Sequence, residues 1–318
     1  MEKSAMLTLL AGALLLASPV APAFAQQPAH RAQQMNTEFF KISDGMTLRR
    51  SVLRNPDAKG AVLLLHGFPE TLYTWEQVAR SLSGEYEVHA FDWPGYGQSS
   101  RPPVDQFSYA PKDYARIIRS YIEKSGIDRS RLTIYATDIA GLPALLAALD
   151  EPDIAGQIIV SDFAPFDRPE YMHERLQRLK TKPSADAARV QLNAGRDDTL
   201  ANAFKRGLPE ESQFEISSDF AADMAHGWDH GDMTSADAFY HYYSNFTRDQ
   251  NAFEARLDQL KTPVKVVWGA DDIYIKKEMG AELAGRIHAE LKLLPGIGHY
   301  AHLQSPNQTV SEIRASLP

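Results

Sequence analysis

The chain has 318 residues, 44% of them hydrophobic, a formal net charge of -8 and no cysteine. That length suits one large domain or two modest ones with a real apolar core. The missing cysteine excludes a disulfide-stapled scaffold, a cysteine-ligated metal site and a thiol nucleophile, and the acidic balance argues against general nucleic-acid binding.

The first predicted element is not part of the fold. Met1-Glu2-Lys3 precedes an apolar run over 5–17, then Ala23-Phe24-Ala25. A charged start, a short apolar stretch and an A-x-A site describe a signal peptide over 1–25. The run is too short to span a bilayer, and Pro19 and Pro22 interrupt it. The expectation is an exported protein, periplasmic or secreted, with no stable membrane span once that segment is removed.

Residues 39–42 and 47–53 read as a hairpin around Asp44-Gly45, a pair that tolerates positive φ. The continuous apolar run 61–65 fits a strand buried on both faces. A helix is expected at 75–82, a strand at 86–91, and a helix over 109–124 with an apolar stripe at Tyr114, Ile117, Ile118, Tyr121 and Ile122. A strand at 132–135, a helix at 142–149 and a strand at 158–160 continue the alternation. It stops near Phe163 and resumes with a strand at 264–268, a helix at 277–287, a strand at 291–294 and a last helix at 309–317. Alternating strands and helices imply a mostly parallel sheet covered by helices. The interruption divides the sheet domain into 26–162 and 258–318, with a helical cap at 163–257, too long for an ordinary connection.

Chemistry gathers at strand ends. Ala136-Thr137-Asp138-Ile139-Ala140-Gly141 lies between a strand and a helix, where small flanking residues permit a tight nucleophile elbow. Aspartate stands where that motif usually has serine; an N-cap aspartate is the plainer alternative. His66-Gly67-Phe68-Pro69-Glu70 follows the first buried strand and would aim the Phe68 N–H at the site, with the Ile139 N–H completing an oxyanion hole. His66 reads as structural rather than catalytic and is placed at the pocket. Residues 92–99 read as a tight turn without chemistry. Gly269-Ala270-Asp271-Asp272 and Gly298-His299 leave later strands, so that nucleophile, acid and histidine occur in the order of a hydrolase triad. Asp272, with Asp271 as the near alternative, would orient the His299 imidazole.

On His66-Gly67-Phe68-Pro69-Glu70-Thr71, residues 92–99, Asp138-Ile139-Ala140-Gly141, residues 269–272 and Gly298-His299, the chain resembles the α/β-hydrolase superfamily, and within it the epoxide hydrolase and haloalkane dehalogenase branch. Exported epoxide hydrolases of the Cif type are among the similar proteins. The resemblance implies the α/β-hydrolase fold with an inserted helical cap, an Asp138 nucleophile and no cofactor or metal. Some members take the triad acid from the end of an earlier strand, which keeps Asp162 open beside Asp272. The branch often carries histidine before the nucleophile; this chain has Thr137.

An aspartate nucleophile forms an ester with an sp³ carbon, and water activated by His299 would hydrolyse it. Epoxide opening also needs a proton donor. Similar proteins supply tyrosines from the cap, which points to Tyr243 first and Tyr242 second, with the alternative that this aromatic helix face is simply core. Tyr171, His173, His226 and His230 are candidates for a second donor. The stretch 225–232 has helix-like histidine spacing, but Gly227 and Gly231 argue against a helix, and no H-E-x-x-H motif supports a metal. It is read as a polar cap loop that brings Trp228, His226 and His230 to the pocket. The expected partner is a small, apolar epoxide; the alternatives are a haloalkane or haloacid dehalogenase and a non-catalytic ligand-binding protein. Oligomeric state is left open.

Overall fold

The structure, a computed structural model, describes Met1 and residues 35–316, and the expected signal peptide at 1–25 falls, except for Met1, outside them. Strands β1 (Thr37–Ser43) and β2 (Met46–Leu53) form the expected hairpin, with Gly45 at φ 77° in its turn. Then come β3 (Ala61–Leu65), α1 (Glu76–Leu82), β4 (Glu87–Phe91), α2 (Pro111–Ser125), β5 (Leu132–Thr137), α3 (Gly141–Asp150) and β6 (Gln157–Ser161). The α2 helix starts later than the expected residue 109, because Tyr109 sits at φ 60° and Pro111 opens the first turn.

Residues 163–257 contain no strand among the described elements. They carry α4 (Glu174–Gln177), α5 (Ser184–Ala194), α6 (Arg196–Asn202), α7 (Ser218–Trp228), α8 (Ser235–Ser244) and α9 (Phe246–Glu254). The sheet then resumes with β7 (Val264–Gly269), α10 (Lys277–Ile287) and β8 (Glu290–Leu294), followed by α11 (Ala301–Gln304) and α12 (Pro306–Ala315). The eight strands lie in the order β1-β2-β4-β3-β5-β6-β7-β8; β1 and β2 run antiparallel to their neighbours and all other pairs are parallel.

The central strands explain why so little polarity appears in them. Along β3, Val62 and Leu64 pack with Trp75, Leu82 and Val310 from α1, its preceding turn and α12. Leu63 and Leu65 face the opposite way, with Ile118, Leu145 and Leu283 of α2, α3 and α10. A strand with period-two side chains must be apolar at every position when both faces are covered.

One expectation fails here. The histidines at 226 and 230 straddle a helix end, since α7 runs to Trp228 and includes Gly227. Glycine is required there because a Cβ at 227 would lie 2.6 Å from the Gly97 Cα. Close packing of α7 on the 92–99 turn therefore outweighs the intrinsic helix cost of glycine. Buried Arg49 and half-buried Arg101 fasten that contact. Arg49 bonds Asp92 through Nε at 2.5 Å and both Asp223 oxygens of α7 at 2.6 and 2.7 Å. Arg101 donates to the carbonyls of Gly227 and Met233. No helix among the described residues is long and apolar enough to cross a membrane.

Candidate active site

The elbow after β5 is strained. Asp138 has φ 50°, an uncommon value for a residue with a side chain. The chain can turn so sharply because Gly141 lets α3 lie against Phe163; a Cβ there would sit 2.3 Å from that ring. The strain lifts the Asp138 carboxylate off the strand end toward the loop after β3. Its Oδ2 accepts the Phe68 N–H at 2.8 Å. Burial raises the Asp138 carboxyl to about 6, against the lowering effect of His299 and the Phe68 bond.

Gly67 makes this approach sterically feasible. An alanine Cβ there would lie 2.7 Å from Asp138 Cβ and Oδ2. Gly67→Ala is expected to displace the Phe68 donor and cut turnover by roughly 10²–10³, the loss typical of one oxyanion donor. Steady-state kinetics beside a melting curve check it; unchanged turnover in a folded variant would refute the assignment. Ile139, read as the second donor, is buried in the turn directly after Asp138.

The histidine arrives from the other side of the sheet end. His299 Nδ1 meets Asp272 Oδ2 at 2.8 Å, and its Nε2 lies 3.9 Å from Asp138 Oδ1. Asp272 Oδ1 accepts the N–H groups of Tyr274 and Ile275 at 2.7 and 3.1 Å, so both oxygens of the anion are satisfied. The rings of Tyr274 and Tyr300 flank the imidazole edge-on, at 5.1 and 4.8 Å. The two loops meet because Gly269 lacks a Cβ that would strike the Gly298 carbonyl oxygen at 2.1 Å. Burial by itself would lower His299, but the Asp272 charge and hydrogen bond, with Asp138, carry it up to about 10.

Of the two acids left open by the sequence, Asp272 is the one bonded to His299. Asp162 lies beside the pair, also at a strained φ of 49°, with its bonds spent on the Gly269 N–H at 2.9 Å and the Ser161 hydroxyl. Burial and the neighbouring Asp272 charge raise it well above the carboxylate range. Asp271 is exposed. Asp162, Asp272 and His299 offer ligand atoms within 4.8 Å of one another, but those atoms already serve as partners to each other and to the backbone.

A cavity of about 370 Å³ opens on Asp138 and His299. Leu176, Leu179, Leu192 and Phe239 from the inserted helices give it an apolar wall, while Arg175 and Arg206 add cationic groups that the reading of an apolar pocket did not contain. Phe239 stacks on Phe68 at 4.1 Å between ring centres, tying α8 to the loop after β3.

All four pocket assignments are corrected. His66 is fully buried and outside the lining: Nδ1 meets the Gly67 carbonyl at 2.7 Å and Nε2 accepts the Trp93 N–H at 3.3 Å. His226 and His230 are exposed and do not line the cavity; their rings lie 6.3 Å apart. Trp228 is buried, 5.8 Å from the Phe68 ring, and packs behind that ring instead of lining the pocket. The continuation of α7 to residue 228 explains both, since it turns Trp228 inward and leaves the histidines at the surface end. Among the other cap candidates, His173 caps α4 through Nδ1 at 3.1 Å and Tyr171 is half-buried beside it.

Tyr242 and Tyr243 both lie on the buried face of α8. Burial pushes their hydroxyls well above the ordinary tyrosine range, and the Asp138 charge adds to it in each. They therefore stay protonated, but neither lines the cavity that opens on Asp138 and His299. Tyr96, in the turn read as chemically silent, shares these properties: its hydroxyl is buried without a hydrogen-bond partner and feels the Asp138 charge. Nothing in a glycine-rich turn signals that its tyrosine packs against Phe68, 6.4 Å between ring centres.

With this geometry in place, comparison with known proteins is decisive for the family. The pattern of the alpha/beta hydrolase fold matches residues 60–306. The chain belongs to that family. This hydrolase is 37% identical over 107 residues to a fluoroacetate dehalogenase of a Burkholderia species, a match covering 33% of this chain and 34% of that protein. It is 32% identical over 125 residues to epoxide hydrolase 4 of Mus musculus, covering 39% and 34%. The chain thus aligns with about a third of the length of these curated relatives. The hydrolase also superposes on the solved structure of wild-type Cfl2 from Burkholderia cenocepacia with a TM-score of 0.74 at 18% identity, covering 91% of this chain and 98% of that one.

Proposed function

We propose that this hydrolase opens epoxides to vicinal diols through an ester on Asp138. The observation that carries the reading is a carboxylate at the elbow, held by the Phe68 N–H on one oxygen and facing His299 Nε2 with the other. A carboxylate so placed attacks an sp³ carbon. The new bond joins that carbon to an Asp138 oxygen, the ring C–O bond breaks, and the ring oxygen takes a proton from a buried phenol, Tyr243 first and Tyr242 second. Esterification removes the Asp138 charge, one of the groups that hold the proton on His299, so the imidazolium gives up its proton more readily, passing it through solvent to the tyrosinate and standing as a free base. Its Nε2 then takes a proton from water, whose oxygen attacks the Asp138 carbonyl carbon. The oxyanion gathers on the Phe68 and Ile139 N–H groups; on collapse the departing alkoxide takes the proton from His299 and leaves as the diol, and the Asp138 carboxyl returns its own proton to the imidazole. Arriving at the protein, the substrate would place an apolar body against Leu176, Leu179 and Phe239.

The relationship to a fluoroacetate dehalogenase supports a second reading, in which the same nucleophile displaces a halide. A panel of epoxides and haloalkanes, scored for diol and for free halide, separates the two. Diol formation is the expected result, with kcat/KM falling tenfold per pH unit below about 6, where the Asp138 nucleophile becomes protonated. Halide without diol would overturn the epoxide assignment in favour of dehalogenation. Neither product would favour a ligand-binding protein. Export, read from residues 1–25, belongs to the same proposal.

A further inference from the structure

A buried polar cluster that the triad does not use lies directly beneath the oxyanion loop. Glu70 Oε2 accepts the Gly67 N–H at 2.6 Å. Its Oε1 meets His302 Nε2 at 2.6 Å and the Thr74 hydroxyl at 2.7 Å. All three side chains are buried. Burial disfavours the Glu70 anion, but the His302 charge and these hydrogen bonds hold its carboxyl below the ordinary range. Removing a carboxylate from water is costly unless such partners satisfy it, so the placement of this one calls for a reason beyond packing.

The reason lies in what the cluster holds. The Gly67–Phe68 peptide carries the N–H that faces Asp138, and every neighbouring backbone group is pinned. The Gly67 N–H is taken by Glu70, the Gly67 carbonyl by His66 Nδ1 and the Glu70 N–H, and the Phe68 carbonyl by the Tyr300 hydroxyl at 3.1 Å. Tyr300 and His302 belong to the segment that begins with His299. One short stretch thus presents the catalytic imidazole and reaches 232 residues back to brace the oxyanion loop. Trp75, packed 4.4 Å from the His302 ring, closes the cluster from below.

We propose that Glu70, backed by His302, is a positioning residue that aims the Phe68 N–H at Asp138 and couples the oxyanion loop to the catalytic-histidine loop. The assignment rests on the ester mechanism above for its kinetic consequence, though not for its geometry. The oxyanion forms only in the hydrolytic step, so a misaimed donor slows that step more than alkylation.

Two measurements test it. In Glu70→Leu the hydrolytic step should slow roughly 100-fold, the scale of an ångström-sized misplacement, with the ester on Asp138 building up in the steady state by intact mass. Glu70→Gln should recover to within about tenfold, because its amide oxygen still accepts from Gly67 while its NH₂ meets a retautomerised His302. His302→Gln, which keeps a donor toward Glu70, should fall between them and serves if the leucine variant does not fold. Independently of any substrate, the backbone amide resonance of Phe68 should follow the titration of Asp138 near pH 6 in the wild type and in Glu70→Gln, and lose that response in Glu70→Leu. A Phe68 amide that still tracks Asp138 in Glu70→Leu, or equal slowing of both chemical steps, would overturn the proposal. If the wild type forms no ester with any epoxide or haloalkane, the proposed function fails, and the amide resonance still decides the positioning role.

Discussion

His299→Gln, mixed with a reactive epoxide, is expected to gain one substrate mass on Asp138 and to keep it. Alkylation needs the carboxylate and a phenolic proton, neither of which the substitution removes. Hydrolysis needs a base, and His299 Nε2, 3.9 Å from Asp138 Oδ1, is the group at the right place to activate water. Losing a positioned general base costs about 10²–10⁴ in rate. The ester should therefore outlive the wild-type intermediate by that factor, and peptide mapping should put the added mass within the tryptic fragment carrying Asp138. Asp138→Asn is the matched control: no adduct and no turnover. Asp272→Asn should resemble His299→Gln in part, because it removes the acceptor that holds Nδ1 while both Tyr274 and Ile275 keep a side-chain oxygen to bond. An active wild type whose His299→Gln variant shows no adduct would sink the covalent mechanism.

The largest stability effect is expected at Arg49, which touches none of Asp138, Asp272 and His299. Its guanidinium is 3% exposed and bridges Asp92, which is fully buried, to Asp223 of α7. Asp92 also accepts the N–H groups of Leu72 and Gln98, so its carboxylate cannot leave the site when its cation is lost. Arg49→Met should cost about 3–5 kcal/mol, the penalty of an orphaned buried charge. At roughly 2–4 °C per kcal/mol for a chain of this order, the melting midpoint should drop by roughly 6–20 °C. Adding Asp92→Asn should return part of the loss, since the unpaired charge is then gone. A single variant that melts within about 2 °C of the wild type would mean that the pair is solvated and not a fastening. Activity should suffer as well, because α7 carries Trp228, which backs the Phe68 ring.

Much of this architecture was legible in the chain itself, for local reasons. A strand covered on both faces has to be apolar throughout, which marks 61–65, and an amphipathic helix has to repeat near 3.6, which marks 109–124, close to the observed 111–125. The sharp turn at Asp138 needs small neighbours, and these stand in the sequence as Ala136, Ala140 and Gly141. Where reading failed, the deciding contact was distant. Gly227 looked like a helix breaker until its packing on Gly97 was seen. His302 and Glu70 carried no signal at all, being 232 residues apart and ordinary residue types. Tyr96 sat in a turn with no visible chemistry.

The sequence by itself determined the order of strands and helices, the place of the inserted helices and the carboxylate at the elbow, because periodicity, glycine spacing and residue identity are local properties. Only the tertiary structure decided that Asp272, not Asp162, bonds His299. It also decided which tyrosines feel the Asp138 charge and what braces the oxyanion loop. Those outcomes depend on ångström-scale distances between loops that meet at one edge of the sheet, and no pattern along a single chain encodes a distance across it.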